Sequence, residues 1–146
     1  MKKLIAFFTL ALMMALPMAA RDEYAHDSSV LPEAAKTVIK NNFKSGVSLV
    51  KIDKDFGRVS EYEVVLKDGT EITFDSKGNW KDVETNIDKS VPVNFIPAGV
   101  RKYVSKAQSG ARIVGIDKDR NGYTVELSNG VEMKFDKNGN FKRYDD

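Results

Sequence analysis

The segment from Tyr62 to Lys81 recurs without a gap from Tyr123 to Lys142. Tyr62, Val64, Leu66, Gly69, Glu71, Phe74, Asp75, Gly78, Asn79 and Lys81 each meet an identical residue in the second copy. Upstream, Ile52-Asp53-Lys54-Asp55 is matched by Ile116-Asp117-Lys118-Asp119, and Leu31-Pro32 by Ile96-Pro97. A chain that presents the same features twice in the same order builds one supersecondary unit twice. Neither copy is long enough for a comfortable core of its own, since domains of ~60 residues are marginal. The halves are therefore expected to pack on each other, joined through residues 86–95.

Each unit opens with a helix. Leu31, Ala34, Ala35, Val38, Ile39 and Phe43 follow the spacing that lines apolar groups along one stripe, and Ile96, Gly99, Val100, Tyr103, Val104 and Ala107 repeat it. Pro32 and Pro97 suit a first turn, where a missing N–H breaks no helical bond, while Gly46 and Gly110 stand where each helix should stop. Strands follow. Tyr62, Val64 and Leu66 alternate with Glu61, Glu63 and Lys67, and Ile72 and Phe74 with Glu71 and Thr73, the period of a half-buried strand. Asp68-Gly69 and Asn129-Gly130 read as two-residue hairpin turns. With strands near 49–53 and 113–117 and final strands at 80–83 and 141–144, the expectation is an α+β fold. It is a tandem repeat of helix plus four-stranded antiparallel meander, with units at 31–85 and 96–146.

Residues 1–20 have a different character. Lys2 and Lys3 precede an apolar run from Leu4 to Leu16, and Pro17-Met18-Ala19-Ala20 leads into Arg21-Asp22-Glu23. Positive start, short apolar stretch and small residues describe a secretory signal peptide cut near Ala19-Ala20. A membrane anchor needs ~20 apolar residues and this run is shorter. The expected product is periplasmic or secreted, with no membrane span and a flexible arm at 21–30 that carries His26.

The 23 Lys and Arg stand against 21 Asp and Glu, and two of the cations are Lys2 and Lys3, so the chain beyond the leader is balanced. That is no basis for nucleic-acid binding, which needs a basic excess or patch. The chain has no cysteine and one histidine. Thiol nucleophiles, thiolate metal sites and polyhistidine sites are thereby excluded.

Leu31-Pro32 opening a helix that ends in Asn42-Phe43 is followed by a Tyr-x-Val-x-Leu strand and an Asp-Gly or Asn-Gly turn. Glu-x-x-Phe-Asp and Gly-Asn-Trp or Gly-Asn-Phe complete the set. Over residues 30–146 this order resembles the PepSY-like family of exported Gram-negative proteins, whose fold is similar to the β-lactamase inhibitory protein. Lys44 and Ser109 stand where members often carry proline after the helix. The resemblance implies a non-enzymatic binding or inhibitory module without catalytic residues.

The residues themselves support the same class. Asp117-x-Asp119-x-Asn121-Gly122 opens like a calcium loop, but Ser128 stands where a bidentate glutamate is required, and no metal is expected there. Glu63 and Glu71 form a carboxylate pair without a nucleophile or orienting group, so no catalytic site and no cofactor are expected. Trp80 and Phe141, at equivalent repeat positions, are assigned to the core. Strand alternation assigns Glu63, Val65, Glu71, Thr73, Lys81, Thr124, Glu126, Glu132, Lys134, Lys142 and Tyr144 to the sheet face opposite the helices. That face is the candidate surface for an envelope protein or peptide, possible inhibition of an envelope hydrolase being the sharpest form of the reading. The alternative is a small-ligand or ion-binding sensing or structural module.

Overall fold

The computed structural model describes residues 22–145; the leader expected at 1–20 lies outside them. Strand β1 (Glu23–Ala25) and a short 3-10 turn at Ser28–Val30 precede helix α1 (Glu33–Asn42) and strands β2 (Val47–Asp55), β3 (Arg58–Leu66), β4 (Glu71–Asp75) and β5 (Trp80–Glu84). A second 3-10 turn, Val93–Phe95, leads into α2 (Ala98–Ala107), β6 (Ile113–Asp119), β7 (Gly122–Leu127), β8 (Glu132–Asp136) and β9 (Phe141–Asp145). All nine strands form one antiparallel sheet in sequence order, from β1 at one edge to β9 at the other. No described helix is long and apolar enough to cross a membrane.

The sheet has one greasy face. Val50, Val64, Ile72, Val83, Ile116, Val125 and Met133 are register partners in a row from β2 to β8, and all are buried. Ala35 and Ile39 of α1 and Val100 and Val104 of α2 join them in one continuous core, bridged by Val91, Phe95 and Ile96 of the connection. The apolar stripes of both helices are thus spent on the same side of the sheet.

Each helix starts against the turn between its third and fourth following strands. A Cβ on Gly78 would stand 2.9 Å from the Ala35 backbone nitrogen, and one on Gly99 would stand 2.8 Å from the Gly139 carbonyl oxygen. These turns are pinned alike. Asp75 Oδ1 accepts from the backbone N–H of Lys77 and Asn79 at 2.9 Å, and Asp136 Oδ1 accepts from Asn138 and Asn140 at 2.9 Å. Those donated bonds favour the ionised form and hold both carboxyls below their ordinary value, against some burial at Asp75.

Two local expectations change. Of the arm expected at 21–30, the described residues 22–30 are not free: β1 pairs with β2, placing Tyr24 beside Lys51, although His26 is exposed. The Asp68-Gly69 and Asn129-Gly130 turns have three-residue loops, closed by Leu66 N–H to Thr70 and Leu127 N–H to Val131. Only the glycines take positive φ, while Asp68 and Asn129 accept from the N–H two residues on. The β6–β7 hairpin is pinned in a similar way. The loop is Arg120-Asn121, Gly122 begins β7, and Asp119 Oδ1 spends its lone pairs on the N–H groups of Asn121 and Gly122.

Trp80 and Phe141 pack toward the helices. Trp80 meets Phe95 edge-on at 5.2 Å, and Phe141 stacks on Tyr103 of α2 at 4.3 Å.

Candidate binding face

With both helices on one side, the opposite face of the sheet is built from side chains alone, and the strand register fixes their order. One row runs Leu49, Val65, Glu71, Glu84, Gly115, Glu126, Glu132, Asp145 from β2 to β9. The next runs Tyr24, Lys51, Glu63, Thr73, Asp82, Asp117, Thr124, Lys134, Arg143 from β1 to β9. Of the residues assigned by alternation, Glu63, Val65, Glu71, Thr73, Thr124, Glu126, Glu132 and Lys134 lie in these rows.

Bulges alter the rest. The register slips between Thr73 and Phe74 against β5, and between Lys134 and Phe135 against β9. Each slip inserts one residue, Lys81 or Lys142, and turns the remainder of the strand by one place. Lys81 still reaches the face, where its ammonium meets Glu61 at 2.9 Å. Tyr144 does not belong to it. It pairs with Met133 on the helix side and packs edge-on to Phe141 at 5.2 Å. The same slips bring in Asp82, Glu84, Arg143 and Asp145, which alternation counted from Lys81 and Lys142 had missed. Their signal was present in the spacing: Trp80 to Val83 and Phe141 to Tyr144 are three apart where a regular strand requires two.

The charges are sorted by position. Near β2 and β3, the carboxylates of Asp53, Glu61 and Glu63 are close enough to hold a metal ion. Lysines already occupy them, Lys51 reaching Asp53 at 2.9 Å and Glu63 at 3.7 Å, and Lys81 holding Glu61. At the far edge, Lys134 pairs with Asp145 at 3.0 Å. Between these zones the face is almost purely acidic. Burial, then the charges of Asp117, Glu84, Glu71 and Glu126, push Asp82 up to about 7. Burial, then Glu71 and Glu126, push Glu84 up to about 7. Glu71 is raised by burial and by Glu63, and Glu132 by burial, Asp145 and Glu126.

Apolar contact is available at two places. Half-buried Val65 has the buried Leu49 as its cross-strand neighbour, and the exposed Tyr24 lies in the adjoining row. Phe56, at the tip of the β2–β3 hairpin, is fully exposed and has φ of 50°.

A family model described as "Putative beta-lactamase-inhibitor-like, PepSY-like" matches residues 18–59 and 60–143. The chain belongs to the PepSY-like family. Among solved structures, a "putative periplasmic protein of unknown function" from Bacteroides vulgatus is 38% identical, with TM-score 0.80, and the match covers 86% of this chain and 99% of that one. A "putative calcium-regulated periplasmic protein" from Bacteroides thetaiotaomicron is 37% identical, with TM-score 0.77, covering 86% and 97%. A third, from Bacteroides vulgatus, is 33% identical, with TM-score 0.77, covering 88% and 99%. No curated protein matches the chain. The family match of this PepSY-like chain spans the acidic centre of the sheet, which alternation alone had not located.

Proposed function

We propose that this chain is a non-enzymatic binding module of the bacterial envelope that docks a protein or peptide on the outer face of its sheet. The observation that carries the reading is the segregation of that face: both helices cover the other side, and this one sets an acidic centre between two lysine-bearing zones. Nine strands spaced ~4.8 Å apart give a face about 38 Å wide. With strands of at least 5 residues from β2 to β9, ~17 Å at ~3.4 Å per residue, the face covers about 650 Å², the scale of the ~800 Å² each partner contributes to a standard interface. Val65 and Tyr24 supply apolar anchors, and Phe56 is an exposed aromatic held in a backbone conformation that costs energy. The two helix-plus-four-strand stretches are read as tandem copies of one unit, with export directed by residues 1–20. Inhibition of an envelope hydrolase, in line with the description of the family, is the sharpest form of this reading.

The test is capture from an envelope extract with three baits: the wild type, a variant with Glu63→Lys and Lys134→Glu, and a helix-surface control with Lys102→Glu and Lys106→Glu. The reading requires a protein retained by the wild type and the control and lost by the first variant, with thermal stability of all three comparable. Identical retention by all baits defeats it.

A second reading, an ion-responsive module, is favoured by the crowding of Asp82, Glu84, Glu71 and Glu126 at the centre of the face and by likeness to a relative described as "putative calcium-regulated".

A further inference from the structure

The repeat lays β9 onto β5, so that Phe141 to Asp145 correspond to Trp80 to Glu84. The two strands meet their neighbours in one register. Thr73 faces Asp82 and Ile72 faces Val83, just as Lys134 faces Arg143 and Met133 faces Tyr144, with the same bulge before each. The other edge of β5 is filled by β6, with Asp82 opposite Asp117 and Val83 opposite Ile116. The equivalent edge of β9 pairs with no strand among the described residues. Its backbone is nevertheless set to pair. Thr85 N–H donates to the Val114 carbonyl at 2.8 Å, and bonded pairs alternate along an antiparallel ladder, so Val83 and Ile116 form the next bonded pair. By the repeat, the N–H and C=O of Tyr144 are aimed off the sheet. The side chains there are left open as well. Val83 is fully buried, whereas Tyr144 in its place is 45% exposed. Arg143 stands where β5 has Asp82, and its exposed guanidinium reaches Asp145 at 3.6 Å.

We propose that the β9 edge takes up an extended segment of a partner protein as a tenth strand, antiparallel to β9, with an apolar residue opposite Tyr144 and, next to it, an acidic residue opposite Arg143. The proposal goes beyond docking on the outer face, because the site is the sheet edge, and its failure leaves that reading standing. Backbone hydrogen bonds supply the attachment, and alternate side chains select the segment. The apolar residue falls on the helix side and covers Tyr144, as Ile116 joins Val83. The acidic residue falls on the outer side, where a hollow of about 200 Å³ is lined by Lys134, Lys142, Arg143 and Thr124. Asp119 also lines it, but its Oδ1 accepts from the N–H groups of Asn121 and Gly122. Asp145 meets Lys134 at 3.0 Å and Arg143 at 3.6 Å, so one carboxylate serves two of the three cations. Cations on an edge keep a sheet from pairing with its own kind. Lys142 and Arg143 repel a second β9 edge and attract an acidic strand, which favours a partner over another copy of this chain.

The experiment is fluorescence anisotropy with residues 21–146, which hold the whole described fold, and a labelled peptide copying Ile113–Asp119, the segment seated on β5. In the same register the peptide's Ile116 faces Tyr144 and its Asp117 faces Arg143. Saturable binding of this peptide is expected. Two changes in the peptide leave the fold of the protein untouched: N-methylation of its Ile116 nitrogen, which removes the bonded N–H, and Asp117→Lys. Each should weaken binding at least about tenfold. The protein variant Arg143→Glu should melt like the wild type, bind the original peptide at least about tenfold more weakly and bind the Asp117→Lys peptide better than the wild type does. Absence of binding to the wild type overturns the proposal. Undiminished binding of the N-methylated peptide overturns strand addition, and equal binding of the two charge forms overturns the acidic selection. Sedimentation of the protein alone as a dimer that Arg143→Glu dissociates would assign the edge to a second copy and overturn the partner.

Discussion

Asp82 and Asp117 are register partners on β5 and β6, the two strands at which the halves of the sheet join. Like charges directly opposite in a sheet are destabilising, and this pair is crowded further by Glu84, Glu71 and Glu126. The join is therefore held by the core beneath it, where Val83 and Ile116 are also partners and are buried. What is unfavourable above that layer is available to whatever binds there.

Stability should pass through a maximum near pH 5. Asp68, Asp75 and Asp136 have folded-state values below the ordinary one, so their contribution is present above it and is lost as the solution becomes more acidic. Asp82 and Glu84, pushed up to about 7, have the opposite sign: the folded state holds extra protons between about pH 4 and 7, and stability falls as pH rises through that window. Without divalent ions the melting temperature at pH 8 should lie several degrees below that at pH 5. Asp82→Asn and Glu84→Gln should each recover on the order of 1 kcal/mol at pH 8 and flatten the slope. Urea midpoints at the two pH values check this.

Gly122 and Gly130 both have positive φ but face different surroundings. A Cβ on Gly122 would sit 2.1 Å from the Phe135 carbonyl oxygen, whereas one on Gly130 meets nothing within 4 Å. Gly130→Ala should cost about 1 kcal/mol, the strain of the left-handed conformation alone. Gly122→Ala should cost more than about 3 kcal/mol or prevent folding, because β7 must move away from β8. Denaturation of the purified variants separates the cases.

Phe56 and Gly57 are the two loop residues of the β2–β3 hairpin, and both have positive φ, as a type I′ turn requires. Phe56→Asn supplies the preferred residue and removes no buried contact, so it should stabilise the fold by about 1 kcal/mol. If Phe56 is a docking anchor, the same change should weaken partner capture. A rise in melting temperature with loss of the captured protein is the expected joint result.

Ile116→Ala should unfold the molecule as one unit. The side chain belongs to the continuous core that links both helices, so a loss of about 2–5 kcal/mol is expected with one transition retained. Coincident unfolding curves from Trp80 fluorescence, in the first half, and Tyr123 resonances, in the second, check this.

The sequence made the helices and most strands legible because their signals are local: apolar stripes in 31–43 and 96–107, and period-two alternation around Tyr62 and Tyr123. It left open whether the halves shared a sheet, since pairing of β5 with β6 is a long-range relation that no local pattern encodes. The charged face was half legible. Glu63, Glu71, Glu126 and Lys134 follow from simple alternation, but Asp82 and Glu84 lie beyond a bulge, and one inserted residue reverses every later assignment. Tyr144 was misplaced by the same slip in β9. The three-residue turns at Gly69 and Gly130 escaped because Asp-Gly and Asn-Gly serve more than one turn type.

The claim on which the rest depends is that Asp82 and Glu84 are sheltered and crowded by like charges at the centre of the outer face. The direct measurement is a pH titration of side-chain carboxyl carbon shifts for Asp82 and Glu84 by NMR. The account predicts midpoints near 7 for both residues. Midpoints near 4 would contradict it.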